Sequence, residues 1–105
     1  MTIATIAGTD VHVNEEGFLT EFEEWSEAIA AELAHDVGIE TLTEEHLKVL
    51  RFLRSYYRAN GETPTLRRVS AVGGFDTKQL FVLFPKKPAK KMSYVAGVPK
   101  PVGCV

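Results

Sequence analysis

The segment that most constrains this chain is EEHLKVLRFLRSYYRAN, residues 44–60, in which His46, Val49, Leu50, Leu53, Tyr56 and Tyr57 recur at helical spacing. This is the signature of an α-helix with one apolar stripe; Lys48, Arg51, Ser55 and Arg58 fall away from it and face water. Thr41 or Thr43 supplies the N-cap, with Thr41-Leu42-Thr43-Glu44 fitting a capping box, and Asn60-Gly61 stops the helix. Such a helix draws most of its stability from elements that cover its stripe. The rest of the chain must supply them.

Upstream, Ile3-Ala4-Thr5-Ile6 and Val11-His12-Val13 are β-prone runs separated by the turn-forming Ala7-Gly8-Thr9-Asp10, which predicts an N-terminal hairpin ended by Asn14-Glu15-Glu16-Gly17. From Thr20, the residues Phe22, Trp25, Ala28, Ile29 and Leu33 recur at helical spacing, predicting a helix capped by Thr20 and closed by Gly38. Downstream, Glu62-Thr63-Pro64 opens a short helix through Leu66, Val69 and Val72 that breaks at Gly73-Gly74. Asp76-Thr77 caps another, ending at Phe84-Pro85, and Pro88 opens a last one through Lys90 and Met92 to about Val95. Beyond Gly97, Pro99 and Pro101 forbid helix and favour extended backbone. The expected fold is mainly α (α+β): a compact helical domain over residues 1–96 with an N-terminal β-hairpin, and a flexible, mobile C-terminal arm over residues 97–105.

A length of 105 residues, 45% hydrophobic and 25% charged, suits one globular domain with its own core and excludes disorder along the whole chain. The longest apolar run, Leu80 to Phe84, is far too short to cross a membrane, and the first ten residues lack the basic and apolar regions of a signal peptide, so a cytoplasmic protein is expected. His12, His35 and His46 have no metal-ligand spacing with one another or with Cys104, and neither a nucleophile elbow nor a phosphate-binding glycine loop is present. No metal and no cofactor are expected, and His46 reads as a structural residue at a helix N-terminus. Charge is split: residues 1–50 carry twelve acidic side chains against Lys48 alone, and residues 51–105 carry eleven basic ones against Glu62 and Asp76. Either the halves neutralise each other in the fold or the basic half meets an acidic partner. The first reading is the stronger, because the acidic half repels a polyanion.

The chain has a single cysteine, Cys104, behind Pro99-Lys100-Pro101 and Gly103. Lone cysteines usually pack as small hydrophobes, but this position is poorly suited to a core. A thiol on a short semi-stiff arm suits carriage of a group on sulfur, since the thiolate is the nucleophile. An extended Val98–Val105 stretch reaches about 26 Å. Lys100 and the cluster Lys86-Lys87-Lys90-Lys91 favour the thiolate if the arm folds back, while the terminal carboxylate beside Cys104 opposes it; Lys87, Lys90, Lys91 and Lys100 are the residues expected to meet a partner.

The sequences Leu83-Phe84-Pro85-Lys86-Lys87-Pro88-Ala89-Lys90-Lys91 and Ala96-Gly97-Val98-Pro99-Lys100-Pro101-Val102-Gly103-Cys104-Val105 resemble the C-terminus of the DsrC/TusE family of sulfur-relay proteins. Glu16-Gly17-Phe18-Leu19, Trp25-Ser26, Leu42-Thr43-Glu44-Glu45-His46, Arg51 to Tyr57, and Pro64 with Arg67 extend the resemblance over nearly the whole chain. The family implies a compact helical fold with an N-terminal hairpin and a mobile arm whose penultimate cysteine, here Cys104, carries sulfur as a persulfide. It implies a sulfurtransferase-type carrier acting between a DsrE/TusBCD-like donor and a tRNA-thiolating or sulfite reductase-like acceptor. The DsrC branch has a second arm cysteine, where this chain has Ser93, so the resemblance is to one-cysteine, TusE-like members that relay sulfur toward tRNA 2-thiouridine. A Ser93→Cys change is then expected to permit an internal disulfide with Cys104. The chain departs from the family pattern at Lys87, where glycine is usual, at Leu47, where an aromatic is frequent, and in a shorter Val72–Asp76 loop.

A rival reading takes residues 63–74 and 76–80 as a helix-turn-helix, with Lys78 and Gln79 facing bases and Arg67 and Arg68 touching phosphates. It leaves Cys104 without a use, and direct nucleic-acid binding is the weaker reading. A third is a regulatory subunit of a sulfur-metabolism complex, such as dissimilatory sulfite reductase, that transfers no sulfur.

Overall fold

The computed structural model describes residues 2–102. A hairpin of β1 (Thr2–Ile6) and β2 (Thr9–Val13) is followed by a 3₁₀ turn (Phe22–Glu24) and five helices: α1 (Glu27–Asp36), α2 (Glu44–Asn60), α3 (Leu66–Gly73), α4 (Thr77–Leu83) and α5 (Pro88–Ala96). The strands pair antiparallel from Thr2 opposite Val13 to Ile6 opposite Thr9, leaving Ala7 and Gly8 as a two-residue loop, both at positive φ. Such a loop matches the twist of the strands it joins. Strand alternation turns Val11 and Val13 inward, and β1 packs against α1.

The α2 stripe organises the core, as its sequence demands. Val49, Leu50 and Leu53 are fully buried, and α5 and α3 pack on the helix that carries them. The short helix α5 is covered on most of its circumference: Pro88, Ala89, Met92, Ser93, Val95 and Ala96 are all buried. Ile29, Ala30, Leu33 and Ala34 of α1, Val69 of α3, and Leu80, Leu83 and Phe84 at α4 complete the core.

Several sequence expectations are corrected. The first helix does not run from a Thr20 cap: the chain makes one 3₁₀ turn, straightens at Trp25, and begins α1 at Glu27, with Ser26 Oγ accepting from the Ile29 N–H. Ala28 is therefore exposed, and Phe22 and Trp25 pack from outside a helix. The α2 capping box uses Thr43 with His46, not Thr41 with Glu44. Thr65 caps α3, and Val72, expected on its apolar face, is exposed.

The root of the arm is seated rather than free. Val98 is fully buried and Pro101 is buried; Thr63 Oγ1 donates to the Pro99 carbonyl at 2.7 Å, and Lys100 Nζ lies 3.2 Å from Glu16 Oε1. Gly97, at φ +72°, ends α5 against the indole of Trp25, where an added Cβ would lie 2.5 Å from Cδ1. Left-handed strain and steric overlap then act together, so Gly97→Ala should cost about 2–4 kcal/mol in chemical denaturation. A Gly38→Ala control, also at positive φ but with open space around the new Cβ, should cost less.

Candidate functional site at the root of the arm

The C-terminal end of α5 is held by two side chains from elsewhere in the fold. Trp25 Nε1–H donates to the Val95 carbonyl at 2.8 Å. The Arg54 guanidinium donates to the Ala96 carbonyl at 3.0 Å and the Phe22 carbonyl at 2.8 Å. Its Cζ lies 3.8 Å from the Phe22 ring centroid and 4.4 Å from that of Trp25, so the cation is held by aromatic faces and backbone oxygens. Burial pushes this guanidinium down to about 10, the nearby Glu23 only partly opposing it, and it stays charged at neutral pH. Carbonyls at the C-terminal end of a helix lack intrahelical partners and favour a cation. Sequence reading assigned Arg54 no role beyond its place in the Arg51 to Tyr57 resemblance. Its position four residues after Leu50 and three before Tyr57, on the flank of the stripe, is the signal that was available.

The lysines expected at an interface come together. Lys87, Lys90 and Lys91 line one groove with Glu16, Phe18, Asp36, Val37 and Tyr94. Glu16 bridges this groove to the arm, its Oε1 lying 3.8 Å from Lys90 Nζ and 3.2 Å from Lys100 Nζ. Lys91 Nζ donates to the Pro85 carbonyl, and Lys86 and Lys87 both take positive φ to turn the chain into α5. The groove floor includes Tyr94, whose OH donates to Asp36 Oδ2 at 3.2 Å and whose ring meets Phe18 edge to face.

A second concavity, about 290 Å³, lies between the C-terminal end of α2, the N-terminus of α3 and the arm. Tyr56, Tyr57, Glu62, Arg68, Lys100 and Val102 are among the residues that line it.

Cys104 falls outside the described residues. Ser93 is fully buried, its Oγ–H donating to the Ala89 carbonyl at 2.8 Å. A thiol at that position would sit inside the fold, and its pairing with Cys104 lies outside the described residues. His46 is structural as expected: Nε2–H donates to the Leu83 carbonyl at 2.9 Å, and Nδ1 accepts from the Thr43 N–H at 3.1 Å, tying α2 to the end of α4. No group of three or more potential metal ligands occurs among the described residues. No helix among them is long and apolar enough to cross a membrane. The helix-turn-helix reading loses support, because the short α4 buries Leu80 and Leu83 and turns Phe81 and Val82 outward beside Lys78 and Gln79.

A hairpin and five helices among the described residues, with a Pro-rich segment seated beside α5, define a small, mainly helical domain. The chain belongs to the DsrC family, described as DsrC like protein, matching it over residues 5–105. It is 37% identical to the gamma subunit of dissimilatory-type sulfite reductase of Nitratidesulfovibrio vulgaris over 100% of both chains. It is 39% identical to sulfurtransferase TusE of Sodalis glossinidius, over 93% of this chain and 96% of the relative. Among solved structures, a crystal structure of dissimilatory sulfite reductase I superposes with a TM-score of 0.86 at 38% identity, covering 99% of this chain and 100% of the other.

Burial, reinforced by Asp36, pushes the Tyr94 phenol up to about 12. The folded value lies above the unfolded one, so the protonated phenol contributes stability that is present below about pH 10 and lost as pH rises through 12. In a spectrophotometric titration one tyrosine should ionise about two units after the ordinary range, and Tyr94→Phe should remove that late step.

Proposed function

We propose that this chain is a sulfur carrier in a sulfur-relay system, with Cys104 accepting sulfane sulfur as a persulfide and passing it on. The family match carries the reading: it runs through residue 105 and so takes in Cys104, the single cysteine of the sequence. The names of the relatives, sulfurtransferase TusE and dissimilatory-type sulfite reductase subunit gamma, both belong to sulfur chemistry. With Ser93 in place of a second thiol, the one-thiol, TusE-like branch fits better than chemistry that needs an arm disulfide.

In the loading step the Cys104 thiolate attacks the outer sulfur of a donor persulfide. A bond forms from Sγ to that sulfur, the donor's S–S bond breaks, and the donor thiol leaves as thiolate. The sulfane sulfur keeps its oxidation state, so no separate oxidant or reductant is required. The reverse exchange, with an acceptor nucleophile, returns Cys104 to the thiol. Donor and acceptor are sulfur-relay proteins: a DsrE/TusBCD-like donor and, as acceptor, a tRNA-thiolating enzyme or a sulfite reductase-like complex, in the cytoplasm. Incubation with a persulfide donor should add the mass of one sulfur atom to the wild type and none to Cys104→Ala. A wild type that gains no sulfur, while a known acceptor is loaded in parallel, would sink the carrier reading and leave a regulatory subunit.

The lysine groove is the docking element of this reading. Lys87, Lys90 and Lys91 crowd one face, whereas Glu16 and Asp36 are the acids lining the same groove, so an acidic partner surface is attracted there and brought beside the arm. Replacing the three lysines by Gln should slow partner association about tenfold at low salt and flatten its salt dependence, with Cys104 alkylation by a small neutral reagent unchanged. Lys100 extends the charge along the arm itself.

A further inference from the structure

The short helix α4 has two contrasting faces. Leu80 and Leu83 are buried and fasten it to the core, whereas on the other side Phe81 is 48% exposed and Val82 72% exposed. A helix that only covers a core carries polar residues on its outer face. We propose that this outer face is a docking surface for an amphipathic helix of an acidic protein partner. The inference goes beyond the carrier reading and stands apart from it, since the surface does not involve the thiol.

The apolar residues form a seat. Phe81 and Val82 follow Lys78 by three and four residues, so the three side chains crowd one side of α4 within about 6 Å along its axis. Phe81 also lies one turn beyond Thr77, which lines a shallow hollow of about 340 Å³ between α3 and α4 together with Leu66, Arg67, Ser70 and Ala71. An aliphatic side chain from a partner fits that hollow, and the next turn of the same partner helix then lies over Phe81 and Val82. Anchors one helical turn apart are the pattern by which a groove receives an amphipathic helix.

Charge selects the partner. Between Thr63 and Val102 the sequence has eight basic side chains and one acidic, Asp76. The Asp76 carboxylate accepts from the Lys78 N–H at 3.1 Å and so caps α4. Arg67 at the hollow, Lys78 on the apolar face and Lys86 just past the end of α4 have no ion pair among the described residues. A helix with carboxylates beside its apolar stripe meets cations along this whole face, whereas a basic helix is repelled. A nucleic-acid backbone would gain the same cations yet leave Phe81 and Val82 against phosphates, which offer them no apolar contact.

The probe is a fluorescein-labelled peptide of about 18 residues with Leu at i, i+3, i+4 and i+7 spacing and Glu elsewhere, titrated with the full chain and read by anisotropy. Micromolar binding is expected, with amide shifts in NMR spectra confined to α3, α4 and Lys86. Val82→Ser and Lys78→Gln should each weaken binding about fivefold. Both positions are exposed, so thermal unfolding should stay in place. Arg58→Gln, a loss of the same charge on α2, should leave the affinity unchanged. A scrambled peptide of the same composition, with no apolar face, should bind at least about tenfold more weakly. Equal binding of the scrambled peptide, or an equal loss from Arg58→Gln, would reduce the effect to diffuse charge and overturn the docking face. So would an unmoved affinity in Val82→Ser, amide shifts elsewhere on the fold, or no binding. Two further outcomes would also overturn it. Duplex DNA that binds in a Lys78-dependent manner where the peptide does not would assign the face to nucleic acid. Concentration-dependent sedimentation lost in Val82→Ser would assign it to a second copy of this chain. Sulfur loading of Cys104 is read in none of these measurements, so their failure leaves the carrier reading standing.

Discussion

The architecture around the arm depends on one half-buried cation held against aromatic faces. Arg54 leaves the flank of α2, passes the rings of Phe22 and Trp25, and ends on the carbonyls of Phe22 and Ala96. It thus ties the 3₁₀ segment, the central helix and the end of α5 together at one point. It makes no ion pair among the described residues, Glu23 acting on it only from a distance; backbone oxygens and ring faces replace its hydration, an arrangement for which a planar guanidinium suits better than an ammonium. Trp25 closes the other side with its indole N–H on Val95 and its ring against Gly97. The direction in which the chain leaves α5 is therefore set by packed, hydrogen-bonded groups before any residue of the arm is reached.

Much of this fold was legible because its signals are local. The stripe on α2, the Asp76 cap, Pro88 at the start of α5 and the hairpin are decided by periodicity, capping and turn chemistry within a few residues of each other. Failures came where distant groups compete with periodicity. Phe22 and Trp25 carry helical spacing, yet satisfying Arg54 and the end of α5 holds them on a non-helical segment, and Ser26 captures the helix start. Val72 carries the spacing of a buried face, but α3 ends one residue later and leaves it outside. At the site, Cys104 and the lysines stood out by type and position. Arg54 did not, because a cation on a helix looks the same in sequence whether it meets water or a carbonyl.

The division of charge has a structural resolution. Glu27 and Glu44 meet Arg51, Glu23 meets Arg58, and Glu16 meets Lys90 and Lys100, each pair joining the acidic half to the basic half. These contacts are solvent-exposed and contribute little individually, so they trim the field of the molecule more than they stabilise it. Glu24 follows the same logic within the acidic half: the His12 backbone N–H and imidazole hold its carboxyl below the usual range and fasten β2 to the 3₁₀ turn. Neutralisation is most complete around α2. It thins out toward α3 and the start of α5, where Arg67, Arg68, Lys78, Lys86 and Lys87 have no ion pair among the described residues. A sequence with no large net charge thereby keeps a one-sided positive field beside its thiol-bearing arm.

A carrier's reach is fixed by where its arm parts from the body, and the grip along this arm is graded. Val98 has no exposed surface, so lifting it would expose a full apolar side chain, at a cost of about 1.5–3 kcal/mol. Beyond it the holds are a single exposed hydroxyl-to-carbonyl bond at Pro99, an exposed ion pair at Lys100 and the ring of Pro101. The first two are weak in water, where solvent replaces them directly. Once the ring of Pro101 is lifted, nothing strong holds the chain short of Val98, so the arm parts from the body at Pro99 rather than Gly97, and an extended path from Pro99 to Cys104 covers about 20 Å. That is shorter than the roughly 23 Å from Val98 to the same cysteine, yet long enough to reach a recessed partner site. The two prolines limit the conformations available to the released segment. A stiff arm of moderate length, leaving from a clamped root beside a cationic groove, arrives at its partner with less entropy to lose than a long flexible tail would.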